Sequence, residues 1–451
     1  LEPDRLAAAI ETVVARHGPL HTAFDRDRTV LTAAEAIRFR SLATDGVNGD
    51  GDGDAARRES IDALAGEPFD LRRGPLVRVD VGERTPGVWD VLVATHHISI
   101  DAGTFDLLWY EIGEAYAGRT LPELPVTAAE HADWQRRSAG RHAEFWSEQR
   151  GALDPEPVAL DAPDEPEPDG YLHRVASLTP AELHDGPGTT PFATSLAAAA
   201  VVLARWSRSG RIEIGVTAST KDHRDARPLI GYYLNSLPLG IEVPSHGVLA
   251  DVAHRASATV GRALEHRTYP FAQMVRDARR LGEREPSIAH MLAYEELAPA
   301  EFAGMPAEHR ILASGTSVTE LTFFVQERSD SVRLGLEYRG SAVGAEAAEA
   351  LLHDFARALD TMCRDPATPI ASVWVDDEQP DLVGPPLPEQ LEPVVRELVS
   401  WAERTPDAAA VVAAGDTTTY ASLVERACGV ADALVASGRR PERVGVAVHR
   451  T

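Results

Sequence analysis

Apolar residues recur along the chain at spacings that predict an alternation of helices and strands. Near the N-terminus, Leu6, Ile10, Val13 and Val14 share one face of a helix, and Asp4 stands where an N-cap is expected. A single apolar stripe on an otherwise polar segment is typical of a helix that packs one face against a core.

The next apolar segments predict two strands followed by helices. Residues 76–81 and 88–95 are apolar runs of strand length. A helix is expected after them, because four apolar residues recur at helical spacing: Phe105, Leu108, Ile112 and Tyr116. A tryptophan-bearing helix over residues 131–149 is expected to close this first block.

The second half of the chain repeats this alternation after an acidic, proline-rich connector at residues 154–169. Its predicted elements are a helix at 196–206, a strand at 212–216, a helix at 252–264, hairpin strands at 323–326 and 332–338, and a helix after Gly344. That last helix carries apolar residues on one face: Ala348, Leu352, Phe355, Leu359 and Met362.

The clearest predicted linker lies at residues 379–388, which hold four prolines and one glycine. We therefore divide the chain into an αβ block at 1–153, a second αβ block at 154–378, a linker at 379–390 and a third segment at 391–451. The third segment is small for an αβ core of its own and ends just after an apolar run, so we interpret it as a fragment.

Composition excludes several classes of protein. The 451 residues are 44% hydrophobic and 25% charged, the balance of a globular protein. Acidic residues outnumber basic ones 70 to 44, and the net charge of −26 disfavours nucleic-acid and anionic-membrane partners. No apolar run approaches the ~20 residues of a membrane span, and the first residues show no export signal, so a cytoplasmic protein is expected. The only cysteines, Cys363 and Cys428, exclude a disulfide framework and a cysteine-built zinc site.

The strongest candidate for chemistry is His96-His97-Ile98-Ser99-Ile100-Asp101, where an apolar strand ends and an amphipathic helix begins. Neighbouring strand residues point to opposite faces, so one histidine is expected to face a cavity while the other packs inward. That geometry argues against a shared metal ion. Asp101 can accept hydrogen bonds from the turn or pair with an arginine, and a histidine held in this way is a natural general base. The alternative, a core histidine beside a helix-capping aspartate, stays open.

This motif resembles the signature of the condensation domains of nonribosomal peptide synthetases, a family related in fold to chloramphenicol acetyltransferase. Four further segments resemble elements of that family in the same order: RHGPLHTAF at 16–24, FDLRRGPL at 69–76, IGYYLNSLP at 230–238 and HRTYPF at 266–271. The resemblance implies an α/β fold in which residues 1–153 and 154–378 are two acetyltransferase-like subdomains arranged as a V. The family's first strand is missing before Leu1.

The end of the chain has a likeness of its own. Residues 405–412 and 419–427 resemble the opening of an adenylation domain, so the segment at 391–451 is expected to be its N-terminal fragment. The Gly-rich phosphate loop of such a domain is absent, and no ATP binding is therefore expected in this chain.

The resemblance also implies a reaction, namely amide formation between a donor acyl thioester and an acceptor aminoacyl thioester. Each would arrive on the phosphopantetheine arm of a separate peptidyl carrier protein, and no cofactor would be bound. His97 would orient the acceptor amine and take its proton, while His96 and Asp101 would shape the site. Arg16 would support the wall of the site. Five residues would line the substrate channel: Ser99, Ala102, Gly103, Tyr232 and Asn235.

Departures from the family pattern keep other functions open. Ala102 stands where the family usually has glycine, Gly103 replaces a frequent aromatic residue, and His21 stands where arginine is frequent. The first two favour a non-catalytic relative that recruits partner proteins. An aminoacyl epimerase shares the histidine pair, but the adenylation-like tail argues against it and against an acyltransferase that uses coenzyme A.

An acidic loop at residues 45–54 imitates a calcium site. With Glu59 it satisfies the ligand spacing of an EF-hand loop. An EF-hand also needs a helix on each side, yet residues 37–40 look extended. We therefore interpret this segment as a solvated acidic loop and expect no metal site.

Overall fold

The computed structural model describes residues 1–25, 31–32, 37–41, 61, 66–152, 162–163, 165–207, 209–297, 301–308, 316–374, 394–413 and 416–436. The predicted acidic loop at 45–54 and the predicted linker at 379–390 lie outside these residues. The chain divides into two compact units, Leu1–Trp374 and Val375–Thr451.

The first half of the larger unit packs two helices against a small sheet. Its elements are α1 (Pro3–Arg16), a 3₁₀ turn (Gly18–His21), the paired strands β1 (Thr22–Ala23) and β2 (Leu31–Thr32), then β3 (Arg38–Ser41), β4 (Val77–Thr85), β5 (Val88–Thr95) and α2 (Ala102–Tyr116). In the sheet, β4 lies between β3, which is parallel to it, and β5, which is antiparallel. Helices α1 and α2 pack side by side.

Strand β4 alternates between two environments. Val77, Val79 and Val81 join the apolar core that α1 and α2 cover. Arg78 and Asp80 are also buried, but they join a charged cluster with Arg38, Arg40 and Glu67. The bidentate hydrogen bond from Arg38 is the main reason why the pKa of Glu67 falls to about 2.

The second half is built on a six-stranded sheet in the order β6-β13-β12-β9-β7-β8. These strands are β6 (Gly170–Val175), β7 (Arg211–Ser219), β8 (Leu234–Glu242), β9 (His290–Glu296), β12 (Leu321–Glu327) and β13 (Val332–Tyr338), with a small hairpin of β10 (Glu301–Phe302) and β11 (Met305–Pro306) between β9 and β12. Strand β9 runs parallel to β12 and to β7, while the other pairs are antiparallel.

Helices cover this sheet and connect the two halves. They are α3 (Ala128–Ala139), α4 (Ala143–Ala152), α5 (Pro180–His184), α6 (Pro191–Ser207), α7 (Leu249–Glu265), α8 (Phe271–Leu281) and α9 (Ala345–Arg364). Helix α6 packs between α7 and α9, and its residues from Ala193 to Leu203 are all buried. Its nearly continuous apolar sequence is explained by this position in the middle of the layer.

Each half contributes residues to the apolar core of the other. Trp146 on α4 belongs to the core of the second half. In the other direction, Ile230 and Phe302 belong to the core of the first half. The two halves therefore belong to one compact unit, Leu1–Trp374.

The smaller unit contains α10 (Val394–Arg404), β14 (Ala409–Ala413), β15 (Asp416–Thr419) and α11 (Tyr420–Ala436). Strands β14 and β15 pair antiparallel, and the ring of Trp401 stacks on that of Tyr420 with centroids 6.0 Å apart. Within the part of the chain that the structure describes, no helix has both the length and the apolar character needed to cross a membrane.

Most strongly periodic segments adopt the predicted elements. Strand β5 has the predicted bounds, and the apolar faces predicted for α1 and α9 are buried. Two details differ. Helix α1 begins at Pro3 with Glu2 as its N-cap, so Asp4 lies in the first turn instead of capping it. The single helix predicted over 131–149 is two helices, because the chain passes through a 3₁₀ turn that starts at Gly140, a residue with low helix propensity.

Candidate active site

His97 lies in the turn that joins β5 to α2. The strand ends at Thr95, so both histidines belong to this turn instead of alternating across a strand as the sequence analysis expected. His97 is exposed, and its Nδ1 atom lies 2.8 Å from the carbonyl oxygen of Ile100. A carbonyl only accepts hydrogen bonds, so Nδ1 carries the proton and Nε2 keeps a free lone pair. This tautomer is the one that a general base at Nε2 requires.

His96 turns the other way and closes the turn. Its Nδ1 accepts the Ile98 amide at 3.0 Å, and its ring meets the edge of Phe69 with centroids 5.8 Å apart. The guanidinium of Arg78 lies 3.7 Å from the centre of the same Phe69 ring. Burial, and then the neighbouring charge of His97, lower the pKa of His96. The neutral form of His96 is therefore favoured.

Asp101 ties the turn to a distant part of the chain. One carboxylate oxygen accepts the Thr104 amide at 2.9 Å and caps α2, and the other accepts the Tyr233 amide at 2.6 Å. The Gly231 carbonyl accepts the Asp101 amide and the Thr104 hydroxyl, at 3.1 and 2.8 Å. Of the two partners expected from sequence, backbone amides fill this role, and no arginine pairs with Asp101 among the described residues. Asp101 therefore caps α2, as the alternative of a core histidine beside a helix-capping aspartate expected. His97 itself, however, is exposed.

The segment fixed by Asp101 brings Tyr232 to the catalytic turn. The Tyr232 ring meets the His97 ring edge-on, with centroids 5.5 Å apart, and 47% of the residue is exposed. Ala102 and Gly103 are also exposed, on the first turn of α2. A Cβ atom at Gly103 would lie 3.6 Å from the nearest Asp101 oxygen and would meet nothing else within 4 Å. Tyr232 thus offers exposed surface beside His97, and Ala102 and Gly103 offer exposed surface on the helical turn that follows.

Two residues expected to line a channel have other tasks. Ser99 is fully buried, and its hydroxyl donates to the His96 carbonyl at 2.8 Å, so it closes the turn. Asn235 is buried and clamps the loop that precedes α8. Its amide nitrogen donates to the carbonyls of Arg267 and Tyr269 at 2.8 and 2.7 Å, and its oxygen accepts the Phe271 amide at 2.9 Å. Neither side chain offers a polar atom to a substrate.

Arg16 lies beside a buried carboxylate that was not predicted from the sequence. Its Nε lies 3.3 Å from Glu111 on α2, and the same Glu111 oxygen is 2.8 Å from Nε2 of the buried His17. Nδ1 of His17 accepts the Ile230 amide at 3.3 Å, so Nε2 is the donor. Glu111 could have been found from the sequence, because it is a charged residue that interrupts the apolar face of α2 between Leu108 and Ile112.

Together these contacts place His97, an accessible base, between two segments that hydrogen bonds hold in place. The segments at 96–104 and 230–233 are joined by hydrogen bonds of Asp101 and Thr104 and by the ring contact of Tyr232 with His97. Among the described residues, no group of three or more histidine, cysteine, aspartate or glutamate side chains is placed to bind a metal ion. The arrangement can accept a proton from a nucleophile that binds beside Tyr232.

The chain is similar to known proteins in sequence and in structure. A family model described as a condensation domain matches residues 1–382. A plipastatin synthase subunit of Bacillus subtilis (strain 168) is 26% identical over an alignment that covers all of this chain and 13% of the relative. Tyrocidine synthase 3 of Brevibacillus parabrevis is also 26% identical, with 98% of this chain and 7% of the relative covered. The chain thus spans a small fraction of the length of these curated relatives.

Solved structures share the fold. The X-domain from teicoplanin biosynthesis superposes with a TM-score of 0.67 at 22% identity, over 82% of this chain and 89% of that one. The first condensation domain of the calcium-dependent antibiotic synthetase, in complex with a substrate analogue, gives 0.65 at 19% identity, over 82% and 90%. These likenesses confirm the acetyltransferase-like α/β fold class expected from the sequence.

Proposed function

The chain belongs to the condensation-domain family, and from that premise we propose that it joins a donor acyl group to an acceptor amine through an amide bond. Both substrates are thioesters on the phosphopantetheine arms of two peptidyl carrier proteins, and the chain itself binds no cofactor. The curated relatives are named as synthases of plipastatin, tyrocidine and linear gramicidin, and they motivate this choice of substrates.

The observation that carries the proposal is the tautomer of His97. Its Nδ1 donates to the Ile100 carbonyl, and its Nε2 is left free on an exposed residue beside Tyr232. In the step, the acceptor amine attacks the thioester carbonyl carbon, a C–N bond forms, and Nε2 accepts the proton that the amine loses. The C–S bond then breaks, and the thiolate of the donor arm takes up the proton held at Nε2 as it leaves, so that His97 becomes a base again.

Two effects share the acceleration. A well-placed general base contributes roughly 10²–10⁴-fold. Holding two arms in register contributes more, since effective molarities for oriented reactants reach about 10⁵–10⁸ M. Ala102, Gly103 and Tyr232 line the approach of the acceptor, while Arg16, His96, Ser99, Asp101 and Asn235 keep the surrounding segments in place.

The proposal extends to the organisation of the chain. Residues 1–153 and 154–378 are the two subdomains, 379–390 link them to the third segment, and 391–451 begin an adenylation domain that acts beside this one. Assembly on carrier proteins takes place in the cytoplasm. The family match ends at residue 382, just inside the proposed linker.

A second candidate is a domain that recruits a partner protein without turnover. It is favoured by Ala102, because a methyl group there stands on the exposed first turn of α2 beside the base. A structural neighbour with a TM-score of 0.66, the X-domain from teicoplanin biosynthesis, was solved in complex with OxyB. The two candidates differ in a simple observable, the formation of a new amide bond.

The test loads one carrier protein with a donor aminoacyl group and a second with an acceptor, and follows both by intact-protein mass spectrometry. The proposal predicts a dipeptidyl acceptor carrier and an unloaded donor carrier in equal amounts. Carriers that bind the chain but never exchange their loads, across small and bulky acceptors alike, would instead establish the recruiting domain. Epimerisation does not change the mass, so the aminoacyl groups are also released and separated on a chiral column. A change in stereochemistry without amide formation would point to an epimerase.

A further inference from the structure

Lys221 is the only lysine among the 44 lysine and arginine residues of the chain. It follows β7 and lies just before the loop that leads to the 230–233 segment. Its ammonium group donates to the carbonyl oxygens of Arg227 and Leu229 at 3.1 and 3.2 Å. Both carbonyls belong to the last turn before Ile230, so Lys221 fixes the chain where it enters the site.

The same ammonium lies over Tyr233, 5.6 Å from the centre of its ring. Thr220 fixes the backbone of Tyr233, because the amide and the hydroxyl of Thr220 both donate hydrogen bonds to the Tyr233 carbonyl, at 2.7 and 2.9 Å. On the other side, the Tyr233 amide donates to Asp101. Tyr233 is thus held at its ring, its carbonyl and its amide, and its neighbour Tyr232 contacts His97.

We propose that Lys221 is a positioning residue, whose ammonium group holds segment 227–233 against the Asp101 turn and so keeps Tyr232 beside His97. Its charge also balances the buried carboxylate of Asp101 across Tyr233. The electrostatics agree with this geometry. Burial lowers the pKa of Lys221, and the attraction of Asp101 raises it part of the way back. The kinetic consequence rests on the function proposed above, whereas the electrostatic link between Lys221 and Asp101 does not.

A single lysine allows a direct measurement of that link. In the chain labelled with lysine that carries ¹³C at Cε, one side-chain signal reports the titration of Lys221. We expect a midpoint below the ordinary value of about 10.4, and a further fall in Asp101→Asn, because the balancing negative charge is gone. The same midpoint in wild type and Asp101→Asn would overturn the proposed link, whether or not the chain forms amide bonds.

Kinetics tests the positioning role. In the two-carrier assay, Lys221→Met should lower kcat by about tenfold while the KM for the acceptor carrier changes less than about twofold, since binding surfaces are untouched. Lys221→Arg keeps the charge and the donors and should recover at least half of kcat. Arg364→Met is the matched control. Its guanidinium also donates to a backbone carbonyl, that of Ser177, but it lies on α9, which packs against the opposite edge of the sheet, and its kcat should stay at the wild-type value.

Two kinetic results would overturn the positioning role. One is a Lys221→Met chain with wild-type kcat, and the other is a Lys221→Arg chain as slow as Lys221→Met. If Lys221→Met does not fold, the Lys221→Arg chain and the titration of the wild-type lysine still decide the proposal. A wild type without turnover would refute the proposed function and leave the titration as the deciding test.

Discussion

At the scale of single residues, the Asp101 carboxylate accepts hydrogen bonds from two backbone amides, and no arginine pairs with it among the described side chains. Replacing it by alanine leaves the Tyr233 amide buried without a partner and removes the cap of α2. An unsatisfied buried donor costs about 1–3 kcal/mol, and a lost cap about 1 kcal/mol. Asp101→Ala should therefore lower the free energy of unfolding by about 2–4 kcal/mol in urea titrations, and activity should fall with it.

Asp101→Asn separates the contributions. Asparagine keeps one acceptor oxygen and places an amide NH₂ against the second donor. The free energy of unfolding of Asp101→Asn should therefore lie between those of the wild type and Asp101→Ala. If Asp101→Ala instead unfolds at the wild-type urea concentration while losing activity, the carboxylate would take part in the reaction directly.

Gly103 offers a residue-scale test of acceptor selection. Because a Cβ atom there meets only an Asp101 oxygen, at 3.6 Å, and Gly103 is exposed, we expect Gly103→Trp to fold normally. Its indole should fill the space beside His97, so the rate with a bulky aminoacyl carrier should fall at least tenfold more than the rate with a glycyl carrier. The ratio of these two rates, measured in the same assay, is the readout.

Ala102→Gly is the partner variant, because it removes bulk where Gly103→Trp adds it. If the Ala102 methyl narrows the approach, this variant should speed the reaction of a bulky acceptor. If neither substitution changes the rate with either acceptor, positions 102 and 103 lie outside the channel.

At the scale of elements, the site depends on segments that are fixed by single polar side chains. Asn235 on β8 supplies all three of its hydrogen bonds to the loop before α8. Asn235→Ala leaves three backbone groups without these partners, and each buried one costs about 1–3 kcal/mol. We expect faster hydrogen exchange at the amide of Phe271 and through the first turn of α8, measured by mass spectrometry.

Asn235→Asp provides the control for that loop. It keeps the acceptor for the Phe271 amide but loses both donors, so protection at Phe271 should partly return while stability stays below wild type. Unchanged exchange in Asn235→Ala would mean that packing alone fixes the loop.

The elements also mark what sequence could and could not predict. Helix α6 and strand β5 followed from local apolar runs, because the apolar residues of each element follow one another closely in the sequence. Strand β9 was missed, since its apolar run, 291–294, is only four residues long and contains no β-branched residue. Its central place depends on pairing with β7 and β12.

The site divides in the same way. The histidines and Asp101 stood out as a compact motif, and their positions needed only local geometry. The partner of Asp101 lies 132 residues away, and the partner of His17 lies 94 residues away. No periodicity encodes such distances. Asn235 was therefore assigned to the channel by family likeness, although its three bonds show a structural task in this chain.

At the scale of the whole molecule, His290 should make stability depend on pH. It lies in the sheet of the second half, and burial lowers its pKa from 6.5 to about 4. Between these values the unfolded chain binds a proton that the folded chain excludes, so stability is lost as the pH falls from about 6.5 towards 4. A shift of this size corresponds to roughly 3 kcal/mol at most.

Urea unfolding at pH 7.5 and at pH 4.5 measures this loss. In His290→Gln the side chain no longer titrates, so the decrease between the two pH values should be smaller than in wild type. An equal decrease in both proteins would mean that groups other than His290 cause the loss of stability in acid. The carboxylate of Glu67 does not act in this range, because its contribution to stability is lost only below about pH 4.5.

The central claim is that His97, with its tautomer set by the Ile100 carbonyl, is the base in amide formation between two carrier-bound substrates. The direct measurement is the single-turnover rate of dipeptidyl-carrier formation for wild type and His97→Ala, with urea unfolding of both. The account predicts a rate lower by about 10²–10⁴-fold and an almost unchanged unfolding midpoint, because the exposed ring contributes one hydrogen bond. A His97→Ala chain that is folded and forms the dipeptide at the wild-type rate would contradict it.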